Sequence, residues 1–188
     1  HLGSPPAIEL HVRHMPGGKF TDHVFGAMKE RDILRMEGPF GSFFLREDSD
    51  KPAVLWAGGT GFGPVNAIVE HAFQQKSVRP MALYWGARGR AGLYLHELAA
   101  SWAASHPGFK YVPVLSEAQP GDGWLGRNGL VHRTIMADFP DLSGHQVYAC
   151  GAPAMIEAAR FDFISRCGLK NEDFFADAFT FAAESINP

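Results

Sequence analysis

The stretch Gly58-Gly59-Thr60-Gly61-Phe62-Gly63-Pro64 has the residue types and spacing best suited to holding an anion. Its glycines permit positive φ and let a ligand come close to backbone N–H groups. The apolar run Ala53–Ala57 precedes it and an apolar-periodic segment opens at Pro64, so the turn joins a buried strand to a helix. The positive end of that helix favours the same negative ligand, and a pyrophosphate is the group such a turn serves. The spacing is not the standard dinucleotide fingerprint, and the lysine of an NTP-cradling loop is absent. Taken alone, the turn reads either as a phosphate site or as a tight strand-to-helix connection. Its place after the first strand of an alternating domain favours the phosphate, because ligands gather at the carboxyl ends of such strands.

Three later apolar runs also end in residues with chemistry. The second strand ends in Gly86-Ala87-Arg88, where a guanidinium serves a phosphate or ribose, or is a solvated loop arginine. The third ends in Ser116-Glu117; the carboxylate suits two ribose hydroxyls and repels a 2′-phosphate, favouring NADH, or is a surface glutamate. The fourth ends in Cys150-Gly151-Ala152-Pro153-Ala154-Met155. A thiol there sits beside a planar ring without crowding it, or is a small buried apolar residue. Phe174, Phe175, Phe179 and Phe181 crowd the C-terminal end, serving the core or, for an aromatic near the very end, covering a flavin ring.

Composition narrows the field. The chain has 188 residues, 46% apolar and 20% charged, with a formal charge of −3. That is an ordinary globular balance without the clustered basic face of a nucleic-acid binder. Its longest apolar runs are far short of a membrane span. Two cysteines, Cys150 and Cys167, fit a reducing, cytoplasmic setting; neither has metal-ligand spacing, so no metal site is expected and no four-thiolate cluster can be built. Among nine histidines, none falls in a hydrolase triad setting; His11, His14 and His96 read as ordinary strand and helix residues.

Around these residues the chain reads as two parts. Alternation at Ala7–His14 predicts a strand, Phe20–Met28 a short helix and Asp32–Glu37 another strand. The charged segment Arg46–Lys51 marks the expected boundary, giving domains 1–48 and 49–188. Beyond it, strands are predicted at Ala53–Ala57, Met81–Trp85, Tyr111–Leu115, Gln146–Cys150 and Asp173–Ala176. Helices are predicted at Pro64–Gln75, Leu93–Ser105, Gly129–Ala137 and Pro153–Cys167. Alternation of this kind implies an α/β domain, a parallel Rossmann-like sheet covered on both faces.

Taken together the segments resemble the ferredoxin–NADP reductase superfamily, in particular bacterial reductases of the CDP-6-deoxy-3,4-glucoseen reductase and phenol hydroxylase reductase type. The residues carrying the likeness are Gly58–Pro64, Tyr84–Arg88, Val112–Glu117, Tyr148–Met155 and Phe174–Phe179, with Pro16–Phe25 and Glu37–Gly41 upstream. The resemblance implies the later part of a flavin-binding antiparallel β-barrel, then an NAD(P)H-binding domain, with the active site between them. In it, Thr60 approaches the pyridine nucleotide, Cys150 lines the nicotinamide site, and Phe179 lies beside the isoalloxazine. Gly17, Gly18 and Thr21 form a helix start that takes the FAD pyrophosphate. The family's Arg-x-Tyr-Ser flavin signature is absent from the 188 residues, and its expected place is just before His1. The flavin cradle in this stretch is therefore partial, and any [2Fe–2S] domain lies outside it. The implied activity is hydride transfer from NADH or NADPH to flavin, which passes electrons to an iron–sulfur centre or other acceptor, such as an oxygenase or deoxysugar-pathway component. A free-flavin reductase and a non-catalytic nucleotide-binding interaction module are the alternatives.

Overall fold

A six-stranded, wholly parallel sheet in the order β4-β3-β2-β1-β5-β6 organises the greater part of the computed structural model. Residues 8–38 and 40–180 are described, and the chain divides into two compact units between Ser42 and Phe43. Ala7 and Pro39, which belong to two of the predicted segments, lie outside the described residues, as does Phe181.

The strands are β1 (Ala53–Gly58), β2 (Met81–Ala87), β3 (Phe109–Leu115), β4 (Arg127–Asn128), β5 (Gln146–Gly151) and β6 (Phe174–Ala178). The inner strands are buried on both sides and so read as continuous apolar runs; β1, AVLWAG, is buried over its first five residues. Four helices cover the sheet: α2 (Phe62–Gln74), α3 (His96–Ser105), α4 (Val131–Asp138) and α5 (Pro153–Cys167), where α1 names a short helix in the first unit. Alternate residues of β1 face two cores. Leu55 and Ala57 share one with Phe62, Val65 and Val69 of α2 and Trp102 of α3; Val54 and Trp56 share the other with Ile135 of α4 and Phe163 of α5. Pro153 opens α5, where a missing N–H costs nothing, and Gly168 closes it at φ +69°. Helix α2 starts two residues before Pro64, since proline is tolerated anywhere in the first turn.

The first unit differs from its expectation. The turn at Gly17 (φ +83°) leads into α1 (Lys19–Asp22), which continues as a π-helical turn over His23–Ala27, close to the predicted helix. Over the described residues of the segments predicted as strands, 8–14 and 32–37, no hydrogen-bonded strand is present. Alternating side chains become a strand only when a neighbour completes the ladder, and none of these residues supplies one. Ile8, Phe25, Ile33 and Phe40 stay largely exposed.

The segment after Phe43 belongs to the second unit. Leu45 is buried, and the Arg46 N–H donates to the Tyr148 hydroxyl at 3.0 Å. Buried Arg79 fastens the same segment: its guanidinium donates to the carbonyls of Lys51 and Arg46 (3.1 Å for the latter) and to Gln146 Oε1 at 2.7 Å. Lys51 Nζ lies 2.6 Å from the buried carboxylate of Asp173. Lys51 and the backbone of Arg46 are thus tied to the lower edge of the sheet.

Candidate functional site

The strand order reverses direction between β1 and β5, and the glycine turn stands at the upper end of that crevice. Open α/β sheets bind their ligands at such a switch point. Gly58 ends β1, Gly59 takes φ +54°, and a 3₁₀ turn over Gly59–Gly61 carries Thr60 into α2. A Cβ on Gly61 would lie 2.2 Å from the carbonyl oxygen of Cys150, so only glycine fits there. Around Gly59, in contrast, a built Cβ meets nothing within 4 Å, leaving open space over the turn. The turn is held from below by Trp85, whose indole N–H donates to the Gly59 carbonyl at 3.0 Å and whose ring stacks on Phe62 with centroids 3.9 Å apart. Gly63 and Pro64 lie in the first turn of α2.

On the β5 side, Cys150 is completely buried and unpaired with any other cysteine. Burial, reinforced by the Asp177 carboxylate, pushes its thiol far above the ordinary range, so it stays protonated. Asp177 is its partner in the β5–β6 register and is half-buried; sequence reading passed over it, although the alternation in Phe174–Phe179 marks it as facing the Cys150 side. The Gly151 carbonyl accepts the Phe179 N–H at 2.9 Å, which anchors the backbone of Phe179 beside the end of β5 and leaves its ring partly exposed. The tip of Met155, near the start of α5, lies 3.4 Å from where a Gly58 Cβ would be. Gly58, Thr60, Gly61, Cys150, Gly151, Met155 and Phe179 thus gather around one corner.

The remaining predicted residues of this unit sit on the other side of β1. A Cβ on Gly86 would fall 2.1 Å from the Val131 side chain, so this glycine lets α4 pack close against β2. Just beyond β2 and β3, Arg88 and Glu117 are exposed and their side chains meet at 3.7 Å. The ladder continues under them: Ser116 N–H donates to the Ala87 carbonyl and Glu117 N–H to that of Arg88. A shallow pocket opens in the connection after β2, lined by Arg90, Leu93, Tyr94, His96 and Glu97.

In the first unit, Gly18 packs tightly, a Cβ there falling 2.8 Å from Thr21 Oγ1 and 3.0 Å from the Met15 carbonyl. Thr21 Oγ1 accepts the Met15 N–H, and the Asp22 carboxylate accepts the Gly17 N–H at 3.0 Å. Gly17 and Gly18 therefore shape the turn, while their own N–H groups are engaged within it. The N–H groups of Lys19, Phe20 and Thr21 stand in the first turn of α1, where an intrahelical acceptor is lacking. They fit an anion.

Sequence comparison assigns both halves. Residues 55–160 match the family described as the oxidoreductase NAD-binding domain, and residues 4–45 match the oxidoreductase FAD-binding domain. The chain belongs to the ferredoxin reductase-like oxidoreductases. It is 47% identical over 174 residues to the CDP-6-deoxy-L-threo-D-glycero-4-hexulose-3-dehydrase reductase of Yersinia pestis, covering 92% of this chain and 51% of that protein. It is 36% identical over 179 residues to an NAD(P)H-flavin reductase of Aliivibrio fischeri, covering 93% and 74%. Among solved structures, the Amycolatopsis cytochrome P450 reductase GcoB superposes with a TM-score of 0.84 at 36% identity, covering 93% of this chain and 52% of that one. The chain spans about half the length of the first of these relatives. Among the described residues no helix is long and apolar enough to cross a membrane, and no cluster of three or more His, Cys, Asp or Glu forms a metal site.

Proposed function

We propose that the protein to which this chain belongs moves a hydride from NADH to a flavin and delivers the electrons to a separate redox partner. The observation that carries this reading is the corner where Gly61 meets the Cys150 main chain at the switch point. It combines an open, side-chain-free approach with a buried neutral thiol. The nicotinamide lies at the end of β5 beside the Cys150–Gly151 main chain, Thr60 lies along its path, and the pyrophosphate crosses the space over Gly59. Phe179 and Asp177 flank the reacting end from β6. FAD, when bound, accepts the hydride and passes electrons on singly; the N–H groups after Gly18, with Thr21 bracing the turn, hold its pyrophosphate. Holding and orienting the two rings accounts for the absence of a strong acid or base, since alignment alone is worth up to roughly 7–11 kcal/mol.

Glu117 supports a preference for NADH, its carboxylate standing at the end of β3 where a ribose diol is read. The partner is a reducible centre on another domain or protein, of the dehydrase or cytochrome P450 kind that the relatives' names indicate. Two free thiols suit a reducing cytoplasm.

The test is anaerobic stopped-flow mixing of the full-length protein, loaded with FAD, with NADH. Rapid loss of flavin absorbance is expected; no reduction overturns the reading. A free-flavin reductase is favoured as the second reading by the NAD(P)H-flavin reductase, most of whose length this chain matches. Purified protein that loses all flavin on gel filtration, yet reduces added FAD, decides for it.

A further inference from the structure

We propose that Trp85 is a positioning residue for the dinucleotide: it fixes the orientation of the Gly59–Thr60 peptide and so aims the Thr60 N–H at the pyrophosphate. The inference rests on the dinucleotide reading above. The Gly59 carbonyl accepts two donors, the Trp85 indole N–H at 3.0 Å and the Phe62 N–H at the start of α2. A carbonyl oxygen has two lone pairs, so both are taken up beneath the turn. A trans peptide is planar, and its C=O and N–H point opposite ways. With the Gly59 carbonyl held inward, the Thr60 N–H therefore faces outward. The approach there is open, since a Cβ built on Gly59 meets nothing within 4 Å.

Without the indole, only the Phe62 N–H restrains that peptide. Gly59 takes φ +54° and follows another glycine, and glycine populates both signs of φ about equally. A peptide rotated by half a turn presents its carbonyl oxygen to the ligand, and the partial negative charge repels the phosphates. Trp85, in contrast, has no freedom of its own. It is completely buried on β2, its ring stacked on Phe62 with centroids 3.9 Å apart and edge-on to Tyr94 at 5.2 Å. Nor does burial by itself supply an indole with an acceptor in this sheet. Trp56 on β1 is as deeply buried, and its Nε1 has no hydrogen-bond partner among the described residues. The ring of Trp85 and its N–H thus have separate roles. The ring braces the start of α2, and the N–H sets which end of the peptide the ligand meets.

The test separates the N–H from the packing. Replacing the Trp85 indole by benzothiophene removes the donor and keeps the shape; Trp85→Phe removes the donor and keeps a ring against Phe62. Both are made in the full-length, FAD-loaded protein, with NADH and ADP-ribose as probes. The benzothiophene protein should bind each probe about tenfold more weakly, the scale of one charge-assisted hydrogen bond. The loss should fall on the KM for NADH rather than on kcat. Trp85→Phe should show the same loss of affinity with a larger fall in urea midpoint. In amide NMR spectra the Thr60 resonance should shift when ADP-ribose is added to wild type and stay in place in the benzothiophene protein, a signature that packing alone does not move. An unchanged ADP-ribose affinity in the benzothiophene protein, or a Thr60 amide that shifts there as far as in wild type, overturns the assignment while leaving the dinucleotide site standing. Failure of wild type to bind either probe sinks both.

Discussion

Gly61 stands so close to Cys150 that a Cβ built on it would lie 2.2 Å from the Cys150 carbonyl oxygen and 2.7 Å from the carbonyl carbon. The glycine turn after β1 and the thiol strand β5 are therefore a single rigid corner. A methyl group there has to displace main chain, because neither contact atom belongs to a side chain that can swing aside. Gly61→Ala should destabilise the fold by roughly 1–3 kcal/mol, the usual cost of overpacking, and weaken NADH binding with it. Gly59→Ala, at φ +54° in open space, should cost only about 1–2 kcal/mol of backbone strain. Urea denaturation of the two variants separates the cases; equal stability losses with intact NADH binding contradict the corner.

The Cys150 thiol is buried, and its proton is held by that burial and by Asp177. On the proposed reading it shapes the nicotinamide corner from beneath rather than attacking a ring. Cys150→Ala should slow flavin reduction by about ten- to a hundredfold, the scale of a small misalignment, with little loss of NADH affinity. Through neutral pH the wild-type rate should show no inflection from this thiol. A thiol-titrating disulfide reagent should label Cys150 and Cys167 only after unfolding, since both are buried. Prompt labelling of the native protein argues against the assignment.

Arg79 is buried with its guanidinium spread over the carbonyls of Arg46 and Lys51 and the side chain of Gln146. Gln146 in turn accepts the Tyr148 hydroxyl and reaches Asp173 at 3.4 Å. Removing the arginine strands several buried acceptors at once. Arg79→Ala should cost roughly 2–4 kcal/mol and raise the susceptibility of residues 43–51 to proteolysis. A urea midpoint within error of wild type would show that the network contributes nothing.

Two histidines set an acid limit on stability. Burial lowers the pKa of His132, even with the Asp162 carboxylate 3.5 Å away, and burial likewise lowers that of His145. Below the ordinary imidazole value of 6.5 the unfolded chain binds protons that the folded chain refuses, so stability falls as pH drops. Above that value both groups are neutral in either state and the contribution is flat. Thermal melts between about pH 8 and pH 5 should show a falling Tm that His132→Gln partly flattens. A Tm that climbs on acidification runs against the sign.

Much of the second unit was legible because a buried parallel strand has no polar alternation to hide it: AVLWA, MALYW and the Gln146–Cys150 run all lie within observed strands. The two-residue β4 escaped notice, being exposed and defined only by its pairing with Val114 and Leu115. The first unit failed for the converse reason. Its alternation at 7–14 and 32–37 is real, but a ladder needs a second strand, which local sequence does not contain. Strand ends were found as a set; their pairings were not, because Arg88 with Glu117 and Cys150 with Asp177 are facts of register. The partners of the Arg46–Lys51 segment, Arg79, Tyr148 and Asp173, are distant in sequence and so were not legible locally.

The central strand has an implication for how the protein comes into being. β1 needs β2 on one flank and β5 on the other, and β5 is synthesised only after β2, β3 and β4. The glycine turn cannot close against its carbonyl wall until then. Nascent chains must wait in a half-assembled sheet, a topology whose long-range contacts make for slow folding. Competence to grasp a dinucleotide therefore arrives late and all at once, and a ribosome stalled before residue 146 should carry a chain that recognises no nucleotide.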